Sequence, residues 1–180
     1  MADSIIYGTS KICDRTDLRM AEDTVIGDFN FVSVPLLRML KGAQTNRFVA
    51  IDGRATVTIG EYATIADHVS IHTSVDTPFG CMNDQISAEM RHVKTGDIVI
   101  GDHAFIGPHS TINPGVTVEA GAVVGANSFV TNDRWAWHIS HPQKAKDITV
   151  FRQMDVLVPG YPLDELQKSK EKMWSKREGL

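Results

Sequence analysis

The chain predicts an all-β parallel solenoid, and three observations carry that reading: an aliphatic residue every six positions, a slim side chain four places after it, and repeated aliphatic-Gly pairs. Ile100, Ile106, Ile112, Val118, Val124 and Val130 form the aliphatic series, and Ala104, Ser110, Val116, Ala122 and Ser128 form the slim one. Gly101, Gly107 and Gly125 each follow an aliphatic. The register also runs earlier, through Ile59, Ile65 and Ile71 with Ala63, Val69 and Val75. A period of six fits neither the 3.6 of an amphipathic helix nor the two-residue alternation of an ordinary strand. If each hexad makes one short strand and one corner, three hexads close a triangular coil. The aliphatic residue then fills the interior, the slim residue sits near the corner, and glycine permits the turn. Stacked coils pair their strands in parallel around a continuous aliphatic ladder.

Taken in order, residues 1–24 read as an N-terminal segment outside the repeat. The solenoid is placed at 25–135: Ile26-Gly27 and Val32 begin it, Pro35 to Gly42 (PLLRMLKG) breaks its phase, 53–76 carries coils, and 100–135 supplies two full ones. Between these, 76–93 loses the register in a polar stretch and is expected to leave the coil as a loop excursion, a kind of segment that is usually functional. Residues 136–180 form a C-terminal extension in which Leu163, Leu166, Met173 and Trp174 share one helical face, predicting a helix over 162–176 that packs across the solenoid or its open end.

Composition narrows the function. The 180 residues hold 42% hydrophobic and 22% charged side chains with 14 Gly and 7 Pro, an ordinary globular balance for one domain. Lys and Arg number 18 against 22 Asp and Glu, a net charge of −4 without the basic excess that nucleic acid demands. Asp3 stands where a signal peptide would be basic, and no stretch approaches the roughly 18 apolar residues of a membrane span, so a cytoplasmic location is expected. Cys13 and Cys81 lack metal-type spacing and read as free thiols.

The run IVIGDHAFIGPHSTINPGVTVEAGAVVGANSFVTND, from Ile98 to Asp133, resembles the hexapeptide-repeat acyltransferases. Asn113-Pro114-Gly115-Val116 is similar to that family's Leu/Asn-Pro-Gly-Val corner, and the likeness extends over about Val25 to Ile148. VSIHTSVDTPFG followed by VKTGDIVIG, together with Ala136-Trp137-His138-Ile139, resembles the sugar and polysaccharide O-acetyltransferases. The resemblance implies a left-handed parallel β-helix, acetyl-CoA as co-substrate, a sugar or nucleotide-sugar acceptor, and a homotrimer with sites between subunits. At the position where many relatives carry a catalytic His in the loop, this chain has Asp76; in QKAKDI, Lys146 matches their basic residue.

Acyl transfer from a thioester needs a general base, a donor for the developing oxyanion, and a slot holding both reactants. His72 directly follows the interior Ile71 where the excursion departs, and His92 lies at its other foot, in MRHVK, loosely resembling the Arg-His that closes the excursion of serine acetyltransferases. Either His is a candidate base, with Asp76 as the carboxylate that orients it; a polar corner residue and a turn-starting Asp are the plain alternatives. Gly125, Ala126 and Ser128 would let the co-substrate approach a corner closely and Lys144 and Lys146 would neutralise its phosphates, unless they serve only coil packing and a solvated tail. His68, His103 and His109 fall at one outward hexad position and read as a solvated face. A zinc carbonic anhydrase would need three convergent His, which the six-residue spacing of His103 and His109 does not supply. The readings carried forward are O-transfer to a sugar hydroxyl, N-transfer to a nucleotide-linked amino sugar, and a non-enzymatic solenoid subunit, against which the excursion argues.

Overall fold

A computed structural model of the chain describes residues 3–76, 88–133 and 139–140. The backbone winds through successive coils, each crossing three sheets. The first coil is β1 (Ile5–Ile6), β2 (Lys11–Ile12) and β3 (Asp17–Met20); the second is β4 (Val25–Ile26), β5 (Phe31–Ser33) and β6 (Leu36–Met39); the third is β7 (Gln44–Thr45), β8 (Ala50–Asp52) and β9 (Val57–Ile59). The fourth begins with β10 (Thr64–Ile65) and β11 (Ser70–His72) and is interrupted by the excursion. The excursion holds β12 (Ser74–Asp76), α1 (Ala88–Arg91) and β13 (Val93–Thr95), and β14 (Ile98–Ile100) completes the coil. Above lie β15 (Phe105–Ile106), β16 (Thr111–Ile112), β17 (Thr117–Val118), β18 (Val123–Val124), β19 (Phe129–Val130) and β20 (Ile139–Ser140).

Every third strand stacks. Sheet A runs β1-β4-β7-β10-β15-β18-β20, sheet B runs β2-β5-β8-β11-β16-β19, and sheet C runs β3-β6-β9-β14-β17. All pairs in them are parallel; among the described residues only β12 and β13 pair antiparallel, at the base of the excursion. The parallel solenoid that the hexads predict is thus the fold, and all nine aliphatic positions from Ile59 to Val130 are fully buried. The slim positions follow them inside: Ala63, Val69, Ala104, Ser110, Val116, Ala122 and Ser128 are buried, while Val75 has left the coil for β12. A buried branched side chain contributes about 1.5–3 kcal/mol by leaving water, so this ladder is the main source of stability.

The stack starts earlier than expected. Ile5 and Ile6 pair with Val25 and Ile26, so strands begin within the segment 1–24 that the sequence reading left outside the repeat, and β6 lies inside the stretch 35–42 taken to break it. The reason is coil length. The stacked column Ile6, Ile26, Thr45, Ile65, Ile106, Val124 advances by 20, 19, 20, 41 and 18 residues. Only the last step is three hexads. The additional residues sit at the corner between sheets B and C, where residues 52–56 separate the buried Ile51 and Val57, compared with 113–115 between Ile112 and Val116. The step of 41 contains the excursion.

The glycines also act differently from the expectation. Gly101 and Gly107 lack positive φ; a Cβ on them would meet the backbone nitrogen of the overlying coil, Ala120 at 2.5 Å and Ala126 at 2.6 Å. They serve close approach of backbones, and the turn itself is made two residues later in the left-handed region. Phe29, Phe48, His68, His109 and Asn127 occupy that position at the corner between sheets A and B, with φ of 56–58°. Tyr62 and His103, with Gly42 and Gly121, occupy it between sheets C and A. Such a conformation costs a non-glycine residue about 1–2 kcal/mol. Parallel ring stacking offsets part of it: Phe29 on Phe48 at 5.0 Å, Phe48 on His68 at 4.8 Å, His68 on His109 at 4.7 Å, and Tyr62 on His103 at 5.6 Å. His103 therefore stands on a different corner from His68 and His109, because six residues advance the chain by one face. Among the described residues no helix is long and apolar enough to cross a membrane. The helix expected at 162–176 lies outside the described residues.

Candidate active site

The excursion leaves from the widened corner between sheets B and C, and the site is built there. Ile71 points inward on β11, so His72 points outward, and the residue beneath it in register is Asp52 on β8. The two side chains meet: His72 Nδ1 lies 2.7 Å from Asp52 Oδ1. Both are partly exposed. The hydrogen bond to Asp52 raises the imidazole pKa above its ordinary value, burial opposes this, and the charge of Asp52 adds to the increase. With the proton at Nδ1 directed to the carboxylate, neutral His72 presents Nε2 as its basic atom.

Local packing fixes this pair. Thr73, fully buried, donates its N–H to the Asp52 carbonyl at 2.8 Å, and its Oγ1 receives the Ala55 N–H at 3.1 Å. Gly53, at φ 122°, makes room for it, since a Cβ there would collide with Thr73 Oγ1 and the Ser74 nitrogen. Below, Arg15 donates from Nε to Ser33 Oγ at 3.0 Å and reaches the Gly53 carbonyl at 3.3 Å, tying three coils together along one edge.

Asp76 is placed differently from the sequence reading. It lies on β12 and accepts two hydrogen bonds from Arg91 Nη2, at 3.0 and 3.2 Å, in a largely buried ion pair across the base of the excursion. The carboxylate in contact with His72 is Asp52. Asp76 instead clamps the returning α1 segment to the outgoing strand, and the geometry follows from the antiparallel register that sets Asp76 opposite Val93. His92 sits at the returning foot, as anticipated, exposed and with φ 46°.

At the upper corner between sheets A and B, Gly125 and Ser128 direct polar groups into the coil. The Gly125 carbonyl accepts from Ser110 Oγ at 2.9 Å and from Ser128 Oγ at 2.6 Å, which occupies both lone pairs. Ala126 is exposed beside them. Lys144 and Lys146 lie outside the described residues, as do Trp135, Trp137, His138, His141 and Cys81. Among the described residues, no group of three or more His, Cys, Asp or Glu is arranged to hold a metal ion.

Comparison with known proteins agrees with this architecture. Residues 97–132 match the model of the bacterial transferase hexapeptide, six repeats. No curated protein sequence matches the chain significantly. Among solved structures, AntD, an N-acyltransferase from Bacillus cereus in complex with dTDP and coenzyme A, is similar with a TM-score of 0.76 at 22% identity over 93% of this chain and 89% of that one. A galactoside acetyltransferase in complex with coenzyme A overlays at 0.52, with 23% identity over 82% and 66% of the two chains. A hexapeptide-repeat-containing acetyltransferase from Vibrio cholerae overlays at 0.51, with 21% identity over 77% and 73%. The chain is thus a hexapeptide-repeat β-solenoid that carries the repeat of the bacterial transferases at 97–132 and shares its fold with solved acyltransferases.

Proposed function

We propose that the protein is an acyl-CoA-dependent acyltransferase acting on a sugar, with His72 as general base and Asp52 as the residue that holds it. The observation that carries this is the 2.7 Å contact between His72 Nδ1 and Asp52 at the point where the excursion leaves the coil. His72 takes the acceptor's proton at Nε2 as the acceptor atom bonds to the acyl carbon, and returns it to sulfur as the carbon–sulfur bond breaks. The co-substrate, acetyl-CoA, supplies the activated thioester. The exposed corner at Ala126 suits its extended arm, with Lys144 and Lys146 as partners for its phosphates. Gly125 and Ser128 support that corner from inside.

The acceptor read from the sequence is a sugar hydroxyl. A second reading, an amine on a nucleotide-linked sugar, is favoured by the overlay with AntD, which spans more of both chains than that with the galactoside acetyltransferase. The same base serves either nucleophile. A homotrimer with His92 and the excursion facing a neighbouring subunit completes the proposal, and sedimentation then gives a mass near three times 19.8 kDa. The test is thiol release from acetyl-CoA across a panel of glycosides, amino sugars and nucleotide-linked amino sugars. Sugar-dependent release that falls by about 10²-fold or more in His72→Ala supports the assignment. Release that survives His72→Ala but is abolished in His92→Ala moves the base to the other foot.

A further inference from the structure

We propose that a groove on sheet A, one corner away from His72, binds a saccharide unit. The groove encloses about 340 Å³. That is the small end of the roughly 300–1,000 Å³ typical of ligand sites, suited to a single ring. Tyr7, Asp28, Gln44, Asn46, Arg47 and Asp67 supply its polar wall. Their mutual contacts fix them without exhausting them. Asp67 Oδ1 accepts the Arg47 backbone N–H at 3.0 Å and its Nε at 3.3 Å, which lowers the carboxyl pKa and keeps Asp67 charged. Asp28 Oδ1 accepts from Thr9 at 2.7 Å, and Gln44 donates to Thr64 at 3.1 Å. Among the described residues, the terminal nitrogens of Arg47, the Asn46 amide and the Tyr7 hydroxyl make no hydrogen bond, and each carboxylate keeps a second oxygen.

These groups select a ligand class. Two carboxylates against one guanidinium give the groove a net negative charge, which disfavours phosphate or a carboxylate. Carboxylate acceptors beside amide and guanidinium donors match vicinal hydroxyls, which both donate and accept, and Tyr7, half exposed, offers a ring face for the apolar side of a sugar. An amine substituent is welcome for the same electrostatic reason.

The position relates the groove to the dyad. Asp67 and His72 lie five residues apart along one coil, so their Cα atoms are at most about 18 Å apart. Between them the outer face of sheet B shows Ala50, Ser70 and Thr111 in register, with the exposed Phe31 and Phe129 at either end of the row. A short glycan held in the groove can lay its next units across that low face toward His72. This extension rests on the acyl-transfer reading; occupancy of the groove does not.

The test is titration of the purified full-length protein with methyl glycosides of neutral and amino hexoses, followed by saturation-transfer NMR, with inorganic phosphate as the anionic arm. Saturable glycoside binding is expected, weakened roughly tenfold or more by Arg47→Ala and by Asn46→Ala, and unchanged in Val99→Asp on the outward face of β14. Unaltered thermal unfolding of the two groove variants shows that the loss is local. Absence of saturable glycoside binding, phosphate binding in its place, or binding lost in His72→Ala but kept in Arg47→Ala overturns the proposal. If the groove binds glycosides but none is acylated, the acyl-transfer reading fails alone; if glycosides are acylated with an unchanged KM in Arg47→Ala, the groove fails alone.

Discussion

Asp52→Asn separates a catalytic dyad from an incidental surface pair. The change keeps the size of the side chain and its place in β8 while removing the charge 2.7 Å from His72 Nδ1. In the native protein that carboxylate raises the imidazole pKa, so the acid limb of the rate profile, which reports deprotonation of the base in the free enzyme, has its midpoint above the ordinary 6.5. In Asp52→Asn the midpoint falls toward or below 6.5, because the favourable partner is gone and burial remains. The plateau of kcat/KM falls as well, by at most the roughly 10²- to 10⁴-fold that a positioned general base contributes. Stability gives an independent reading. A folded-state pKa raised above the unfolded one contributes stability that is fully present below about pH 6.5 and lost as pH rises through the folded value. His72 and Asp52 are 32% and 41% exposed, so solvent screening limits the contribution to about 0.2–1 kcal/mol. Thermal unfolding should therefore show Asp52→Asn less stable than wild type near pH 5.5 and nearly equal to it near pH 9. A variant whose acid limb and plateau both match wild type, with a pH-independent difference in melting, would refute the dyad.

Ile106→Asp places a carboxylate in the fully buried ladder with no partner and should abolish cooperative unfolding in circular dichroism, whereas Val99→Asp, on the outward face of β14, should fold. Gly107→Ala drives a Cβ to within 2.6 Å of the Ala126 nitrogen and should lower the melting temperature of the upper coils, although Gly107 has ordinary φ. Phe48→Ala loses two stacked rings at about 0.5–1.5 kcal/mol each, and Phe48→Gly should cost less than Phe48→Ala because glycine removes the left-handed strain at φ 57°. The reverse order in equilibrium unfolding would show that the corner is unstrained.

The upper coils were legible because their step is 18 residues and each hexad repeats the last. Lower down, the sequence keeps the same physics with a different arithmetic. Ile6, Ile12 and Leu18 are also six apart, but coils of 19 and 20 residues shift the phase before it can accumulate, so β1 to β3 read as a separate segment. The extra residues cost little in a corner, where the backbone is already out of the ladder, and a fixed-period reading has no way to anticipate them. The role of the repeated glycines was hidden for a related reason: aliphatic-Gly pairs look like turn chemistry, yet the constraint comes from the neighbouring coil, which sequence order does not display.

The same arithmetic accounts for the site. His72 was legible because the repeat stops beside it; its partner was not, since Asp76 is four residues away in sequence and Asp52 is 20. In a solenoid whose local step is 20, residue 52 lies directly beneath residue 72, and the widened corner at 52–56 lets an outward carboxylate stand beside the imidazole. Asp76 is held in a different task by Arg91, which arrives from the far side of the excursion. Widening the corner and interrupting the next coil occur at one place: the first supplies a carboxylate at the edge of sheet B, and the second starts the excursion directly after His72. Shortening 52–56 to the three-residue corner of the upper coils would therefore separate the dyad while leaving the aliphatic ladder in register, which is why we place the functional specialisation of this chain in its corners and its stability in its strands.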